Sequence, residues 1–176
     1  MTTIRLLDPT SDGPGVVHAI APRKSDLRGT RGGFRQQWPN FDKFMARIEQ
    51  QLMQEYELPA IARVGGAFTE RRDDRLEKWR AFKSQIEWAV VGLGACWGTS
   101  PWTVYDAIEL EEKGIPTVSV VTDEFNGLAK ATAAAEGWPG LKMVVVPHFF
   151  EELKEDAIIK LADSAYTKIV ESLTKN

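Results

Sequence analysis

Residues Trp88 to Val121 read WAVVGLGACWGTSPWTVYDAIELEEKGIPTVSVV. The stretch opens on the apolar run Trp88-Ala89-Val90-Val91 and closes on Thr117-Val118-Ser119-Val120-Val121. Between them the residues predict a helix over Trp102 to Lys113, with Ser100 as N-cap, Pro101 at the first helical position, Gly114 as C-cap and Pro116 beyond. Val104, Ala107 and Ile108 supply its inward face, and Glu109 is placed to pair with Lys113 one turn on. Continuous rather than alternating apolar character marks strands buried on both faces, which means parallel strands covered by helices. The segment therefore predicts an α/β fold.

The flanking sequence extends the same alternation. A third apolar run, Met143-Val144-Val145-Val146, follows a small-residue helix over Asn126 to Glu136, and a last helix runs from Glu151 with Leu153, Ile158, Leu161, Ala165 and Ile169 inward. Upstream, Asn40 reads as the N-cap of an amphipathic helix carrying Phe41, Phe44, Met45, Ile48, Leu52 and Met53, which stops at Leu58-Pro59. Ala60 to Val64 is a short strand ended by Gly65-Gly66, and Asp73 to Lys83 a highly charged helix. An early strand is also required. Arg31 to Arg35 is the candidate, although its glycines and arginines suit a buried strand poorly. The expected architecture is a single-domain, mostly parallel, Rossmann-like or flavodoxin-like three-layer sandwich over residues 31–176. Residues 1–30, rich in Gly, Pro and charge, read as an extended N-terminal arm of the kind that crosses to a partner subunit. Its cations Arg23, Lys24, Arg28 and Arg31 read as a solvated face, with an anion site as the alternative.

The 176 residues are 43% apolar and 27% charged, with a formal net charge of −3, an ordinary globular composition with no electrostatic reason to expect nucleic acid. No apolar run reaches the roughly 20 residues that span a bilayer, and the first residues lack the apolar segment of a signal peptide, so the reading is no membrane and a cytoplasmic location. A single cysteine excludes an internal disulfide and leaves one free thiol to explain. Walker, HExxH, paired CxxC and GxSxG motifs are absent from the sequence. A loose dinucleotide turn, Gly92-Leu93-Gly94-Ala95-Cys96-Trp97-Gly98, is opposed by bulky Trp97 in the phosphate turn and by its place after the third strand.

Ligands of an open parallel sheet bind beyond the carboxyl ends of its strands, where helix N-termini point their free N–H groups. That rule selects three loops. The first holds Cys96, in a glycine-rich turn before a helix whose positive end lowers a thiol pKa; the alternative is a small buried hydrophobe. The second holds Asp123 and Glu124, proton donors, metal ligands or ribose partners, or else first-turn acids of the next helix. The third holds His148, a base or ion-pair partner for Cys96, or else a structural histidine.

The stretch Ala89 to Phe125, AVVGLGACWGTSPWTVYDAIELEEKGIPTVSVVTDEF, and the later VVVPHFF resemble the UGSC family, small bacterial proteins whose signature is selenocysteine or cysteine followed by Gly-Ser-Cys. The likeness covers Ala89 to Phe150, with fainter traces at Leu27-Arg28-Gly29 and Pro39-Asn40. It implies chalcogen-nucleophile chemistry similar in spirit to subunits of glycine and proline reductases. By resemblance, Cys96 takes the place of the selenocysteine or first cysteine, Asp106 and Glu109 that of the helix acids, Glu124 that of the acid after the next strand, and His148 that of the histidine after proline. The sequence departs from the family where Gly-Ser-Cys becomes Trp97-Gly98-Thr99, removing the second cysteine, and where Arg35-Gln36 stands for Asp-Asn. An intramolecular disulfide cycle is thereby closed.

The expected function is an enzyme or enzyme subunit in which Cys96 attacks a small organic electrophile, with His148 tuning the thiol and Glu124 moving a proton. Gly94, Trp97, Gly98, Thr99, Ser100, Trp102 and Asp123 are the expected substrate-binding residues. The N–H groups from Gly98 to Ser100 and the Thr99 hydroxyl would hold developing negative charge, while Trp97, Trp102 and Trp38 wall the pocket or simply pack. An external thiol or a metal ion is the candidate cofactor, and a homodimer or hetero-oligomer with a related subunit the candidate assembly. Two further readings are a non-catalytic binding or regulatory subunit paired with a complete UGSC-type chain, and a metal site built from Cys96, His148 and Glu124.

Overall fold

A computed structural model describes residues 15–65 and 72–175. The chain alternates β1 (Gly32–Gln36), α1 (Phe41–Tyr56), β2 (Ile61–Val64), α2 (Arg72–Gln85), β3 (Trp88–Gly94), α3 (Thr99–Glu111), β4 (Thr117–Thr122), α4 (Asp123–Ala135), β5 (Met143–Val146) and α5 (Glu155–Thr174), with a 3-10 turn over Phe150–Glu152 before α5. The strands form one five-stranded sheet in the order β2-β1-β3-β4-β5, every pair parallel. This is the flavodoxin-like order, and it reverses direction between β1 and β3. Every residue of β3 and β4 is buried, as their continuous apolar runs require.

Phe34, Trp88, Val90, Val118, Val120 and Val144 face α1 and α5 through Phe41, Phe44, Ile48, Ile158 and Ile169. On the opposite face, Ala89 and Val91 meet Trp79 and Phe82 of α2 and Leu110 of α3, while Val121 meets Val104 of α3 and Ala129 of α4. The α/β three-layer sandwich is therefore as expected.

The poor composition of β1 has a packing cause. A Cβ at Gly32 would stand 2.4 Å from the Trp88 ring, and one at Gly33 would stand 2.7 Å from the Phe82 ring and 2.8 Å from Ile86. Aromatic rings, one from the neighbouring strand β3 and one from α2, thus lie directly on the β1 backbone, where only glycine leaves room.

Several boundaries differ from the sequence reading. α3 begins at Thr99, so Ser100 lies inside the helix, fully buried, and does not cap it. Asn40 does occupy the N-cap position of α1, with a positive φ of 62°, but its side chain accepts no helix N–H; its amide donates instead to the Glu151 carbonyl at 2.9 Å. α4 begins at Asp123, which puts both acids of that loop in a first helical turn. Glu109 pairs with Lys83 of α2 in place of Lys113.

Residues 1–14 of the expected arm, and Gly66, lie outside the described residues. From residue 15 the segment packs on its own chain. The His18 ring stacks on Trp138 at 4.8 Å, the Lys24 N–H donates to the Leu173 carbonyl at 2.9 Å, and Leu27 is fully buried in the core. Arg23 does not belong to a solvated face. Its side chain is 1% exposed and pairs with buried Glu111 at 2.5 Å. Among the described residues no helix is long and apolar enough to cross a membrane.

Candidate functional site

β3 ends in the turn that delivers Cys96 to the start of α3. The turn is held by a reciprocal pair of bonds with the pattern of a capping box, set just ahead of the helix: the Cys96 sulfur accepts the Thr99 N–H at 3.2 Å, and the Thr99 hydroxyl oxygen accepts the Cys96 N–H at 3.2 Å. That oxygen also accepts the Ala95 N–H at 3.1 Å. With both acceptor positions taken, the hydroxyl proton is left for the sulfur, 3.3 Å away. Burial opposes ionisation of the partly exposed thiol, but the Thr99 hydroxyl and the Thr99 and Gly98 N–H groups outweigh it, and the thiol pKa lies below its ordinary value. The Glu151 carboxylate acts in the opposite direction. Gly98 is exposed, and a Cβ there would stand 3.8 Å from the sulfur.

This arrangement revises the expected oxyanion role. The Thr99 N–H and hydroxyl hold the sulfur itself, and the Ser100 N–H is committed to the Cys96 carbonyl at 3.0 Å. The buried Ser100 hydroxyl has no partner among the described residues and no opening to a substrate. Gly94 is likewise a packing position, since a Cβ there would stand 3.0 Å from Val121 and 3.3 Å from Ser100.

His148 follows β5 at the same sheet edge, but its hydrogen bond goes to Thr122 and not to Cys96. Its Nδ1 lies 3.2 Å from the Thr122 hydroxyl, which itself donates to the Gly94 carbonyl at 3.5 Å. Because the Thr122 proton goes to Gly94, the pattern assigns Nδ1–H as the donor to Thr122 and leaves Nε2 outside this bond. Asp123 locks the two loops together, its Oδ1 accepting the N–H of Glu124 at 2.9 Å and that of His148 at 3.0 Å. Glu124 is exposed, and its carboxylate makes no hydrogen bond or ion pair with the described residues. Among those residues no three His, Cys, Asp or Glu side chains are grouped to hold a metal ion, so the Cys96, His148 and Glu124 ligand set is not assembled.

The tryptophans diverge. Trp97, 78% exposed, meets Phe125 edge-on at 5.8 Å, and Phe125 leads to His148 at 5.4 Å. Trp102 meets Tyr105 at 6.0 Å and turns toward α2, while Trp38 donates to Glu151 at 3.2 Å. Asp106 and Glu109 are also removed to the α2 side, held by Arg35 and Lys83.

Sequence reasoning missed Thr122, Glu151 and Phe125 as members of the site. Thr122 was legible as the last residue of a buried strand beside the acid pair. Glu151 had no local signal, because a 3-10 turn between β5 and α5 brings it near the sulfur.

Fold and site together define a flavodoxin-like α/β protein whose one thiol lies in the turn between the central strand and the helix that follows it. The model of the UGSC family matches residues 5–175, and the chain belongs to that family. No curated protein matches it. Among solved structures it is similar to two mutant forms of a flavo di-iron protein from Thermotoga maritima. One aligns at 12% identity and a TM-score of 0.45, covering 86% of this chain and 37% of that one. The other aligns at 10% identity and a TM-score of 0.44, covering 87% and 36%. This chain thus spans little more than a third of the length of those proteins.

Proposed function

We propose that the protein is an enzyme or enzyme subunit that uses Cys96 as a thiolate nucleophile on a small electrophilic organic substrate. The sulfur cradle carries the reading: a partly exposed sulfur taking hydrogen bonds from the Thr99 N–H and hydroxyl at a helix N-terminus. In the first step the sulfur lone pair forms a bond to the electrophilic atom, and the leaving group departs with the bonding pair. His148 Nε2 then takes the proton of an external thiol, which attacks the adduct and releases Cys96 as thiolate. Exposed Glu124 relays protons to solvent, and Trp97 with Phe125 offers an aromatic wall.

The test is covalent trapping of the intact chain with iodoacetamide and with activated thioesters, followed by mass spectrometry. Wild type is expected to form one adduct at Cys96 with each reagent; an added thiol discharges the acyl adduct by thioester exchange, faster in wild type than in His148→Asn, while the alkyl thioether left by iodoacetamide stays in place. An inert sulfur, or one reacting no faster than free cysteine at neutral pH, would overturn the nucleophile role. That outcome favours the second reading, a binding subunit beside a chain with the complete signature, which the loss of the second cysteine supports.

A further inference from the structure

A second site lies on the other side of α3. The carboxyl ends of β1 and β2 and the facing sides of α2 and α3 enclose a cavity of about 340 Å³, beside the point where the sheet order reverses. Such a crevice is where open parallel sheets bind ligands. Neither Cys96 nor Thr99 lines it.

Its walls are apolar and aromatic, from Val64, Leu76, Trp79 and Trp102. Trp79 is buried against Phe82, stacked at 5.4 Å, and its indole N–H is spent on Glu109 at 2.7 Å. Trp102 is 57% exposed and meets the Tyr105 ring at a right angle.

The polar lining is unbalanced toward free donors. Glu109 has both oxygens occupied, by Trp79 and Lys83. Asp106 accepts both Arg35 Nε, at 2.8 Å, and the Gln37 amide on one oxygen. Arg35 is 14% exposed and lies over the Trp79 ring at 5.3 Å, yet neither of its Nη groups has a hydrogen bond among the described residues. Arg72 and Arg75, from the first turn of α2, also line the cavity, and their side chains make no hydrogen bond or ion pair with the described residues. Asp73 and Asp74 of the same turn do not line it. Among the described residues, three guanidinium groups with open donors thus face one largely apolar crevice whose acids are already paired.

We propose that this cavity binds a small organic anion, a carboxylate or phosphate monoester on a flat apolar body. Arg35 is anchored by Asp106 and presents its Nη pair as a fork to the anionic head. Arg72 and Arg75 complete the charge, and the apolar body lies along Trp102. The site is distinct from the Cys96 cradle and does not depend on the thiol reading.

The test is isothermal titration of the intact chain with benzoate, phenyl phosphate, benzyl alcohol and benzylamine, with tryptophan fluorescence as a second signal. Benzoate or phenyl phosphate is expected to bind saturably at one site, and which binds tighter identifies the head group. The neutral and cationic analogues are expected not to bind. Charge reversal at the helix surface, R72E with R75E, is expected to weaken binding by about tenfold or more, and W102A to remove the fluorescence response. C96S is expected to bind with unchanged affinity. Saturable binding by neither anion, equal binding of benzyl alcohol, indifference to the charge reversal in a folded variant, or loss of binding in C96S would each overturn the proposal.

Discussion

At the scale of the residue, the decisive feature is that Thr99 serves Cys96 twice. Its hydroxyl oxygen is saturated by the N–H groups of Ala95 and Cys96, so its proton is directed to the sulfur. Burial opposes ionisation, and the hydrogen bonds overcome it. The alkylation rate of Cys96 is therefore expected to rise with an inflection below the ordinary thiol value of 9.0. Thr99→Val removes the hydroxyl donor and should move the inflection upward, whereas Thr99→Ser should keep it low. A rate–pH profile for the three proteins checks this, and an inflection that ignores Thr99→Val would remove the hydroxyl from the account.

Elements show the same economy of space and charge. β1 is glycine-rich because rings from β3 and α2 lie on it, so Gly33→Ala is expected to lower stability by about 1–3 kcal/mol in urea unfolding. Gly127 is the contrast: it lies in α4 with nothing within 4 Å of a built Cβ, and Gly127→Ala should raise stability by about 0.5–1 kcal/mol. On α3, two acids one turn apart titrate in opposite directions. Burial raises the Asp106 pKa against the pull of Arg35. For Glu109 burial also works upward, but Lys83 and Trp79 outweigh it and the pKa is lowered. A lowered folded pKa stabilises the fold above the unfolded value, 4.5 here, and that contribution fades as pH falls through the lower folded value. Glu109→Gln should therefore flatten the acid limb of a stability–pH profile, modestly because the side chain is 43% exposed.

The whole molecule is closed by a buried carboxylate. Glu111, at the end of α3, accepts the Ala21 N–H at 2.6 Å, Arg23 Nη2 at 2.5 Å, and the N–H and hydroxyl of Thr117 at 2.6 and 2.7 Å. It ties the segment before β1 to the start of β4. Glu111→Ala would strand the buried Arg23 charge and is expected to cost about 3–5 kcal/mol. Chemical denaturation measures the loss. Hydrogen exchange should show protection falling first at the amides of His18, Ala21 and Lys24, which hold the segment in place.

The layered α/β fold was legible from periodicity alone, because a strand covered on both faces must be apolar throughout, and Val90-Val91 and Val118 to Val121 are. The placement of Cys96 in a strand-to-helix turn was equally legible, since glycines and Pro101 punctuate locally. Residues far apart in the chain were not. The burial of Arg23, the migration of Asp106 and Glu109 to α2, the arrival of Glu151 near the sulfur and the Thr122 bridge to His148 all arise from contacts between separate elements. The sequence by itself determined the strands, the helices and the exposed turn that holds the thiol, because those follow from local propensity and solvent-driven patterning. Only the tertiary structure decided which polar groups meet, because hydrogen-bond partners are chosen by packing geometry across the sheet, and that choice separated one expected pocket into a thiol cradle and an arginine-lined cavity.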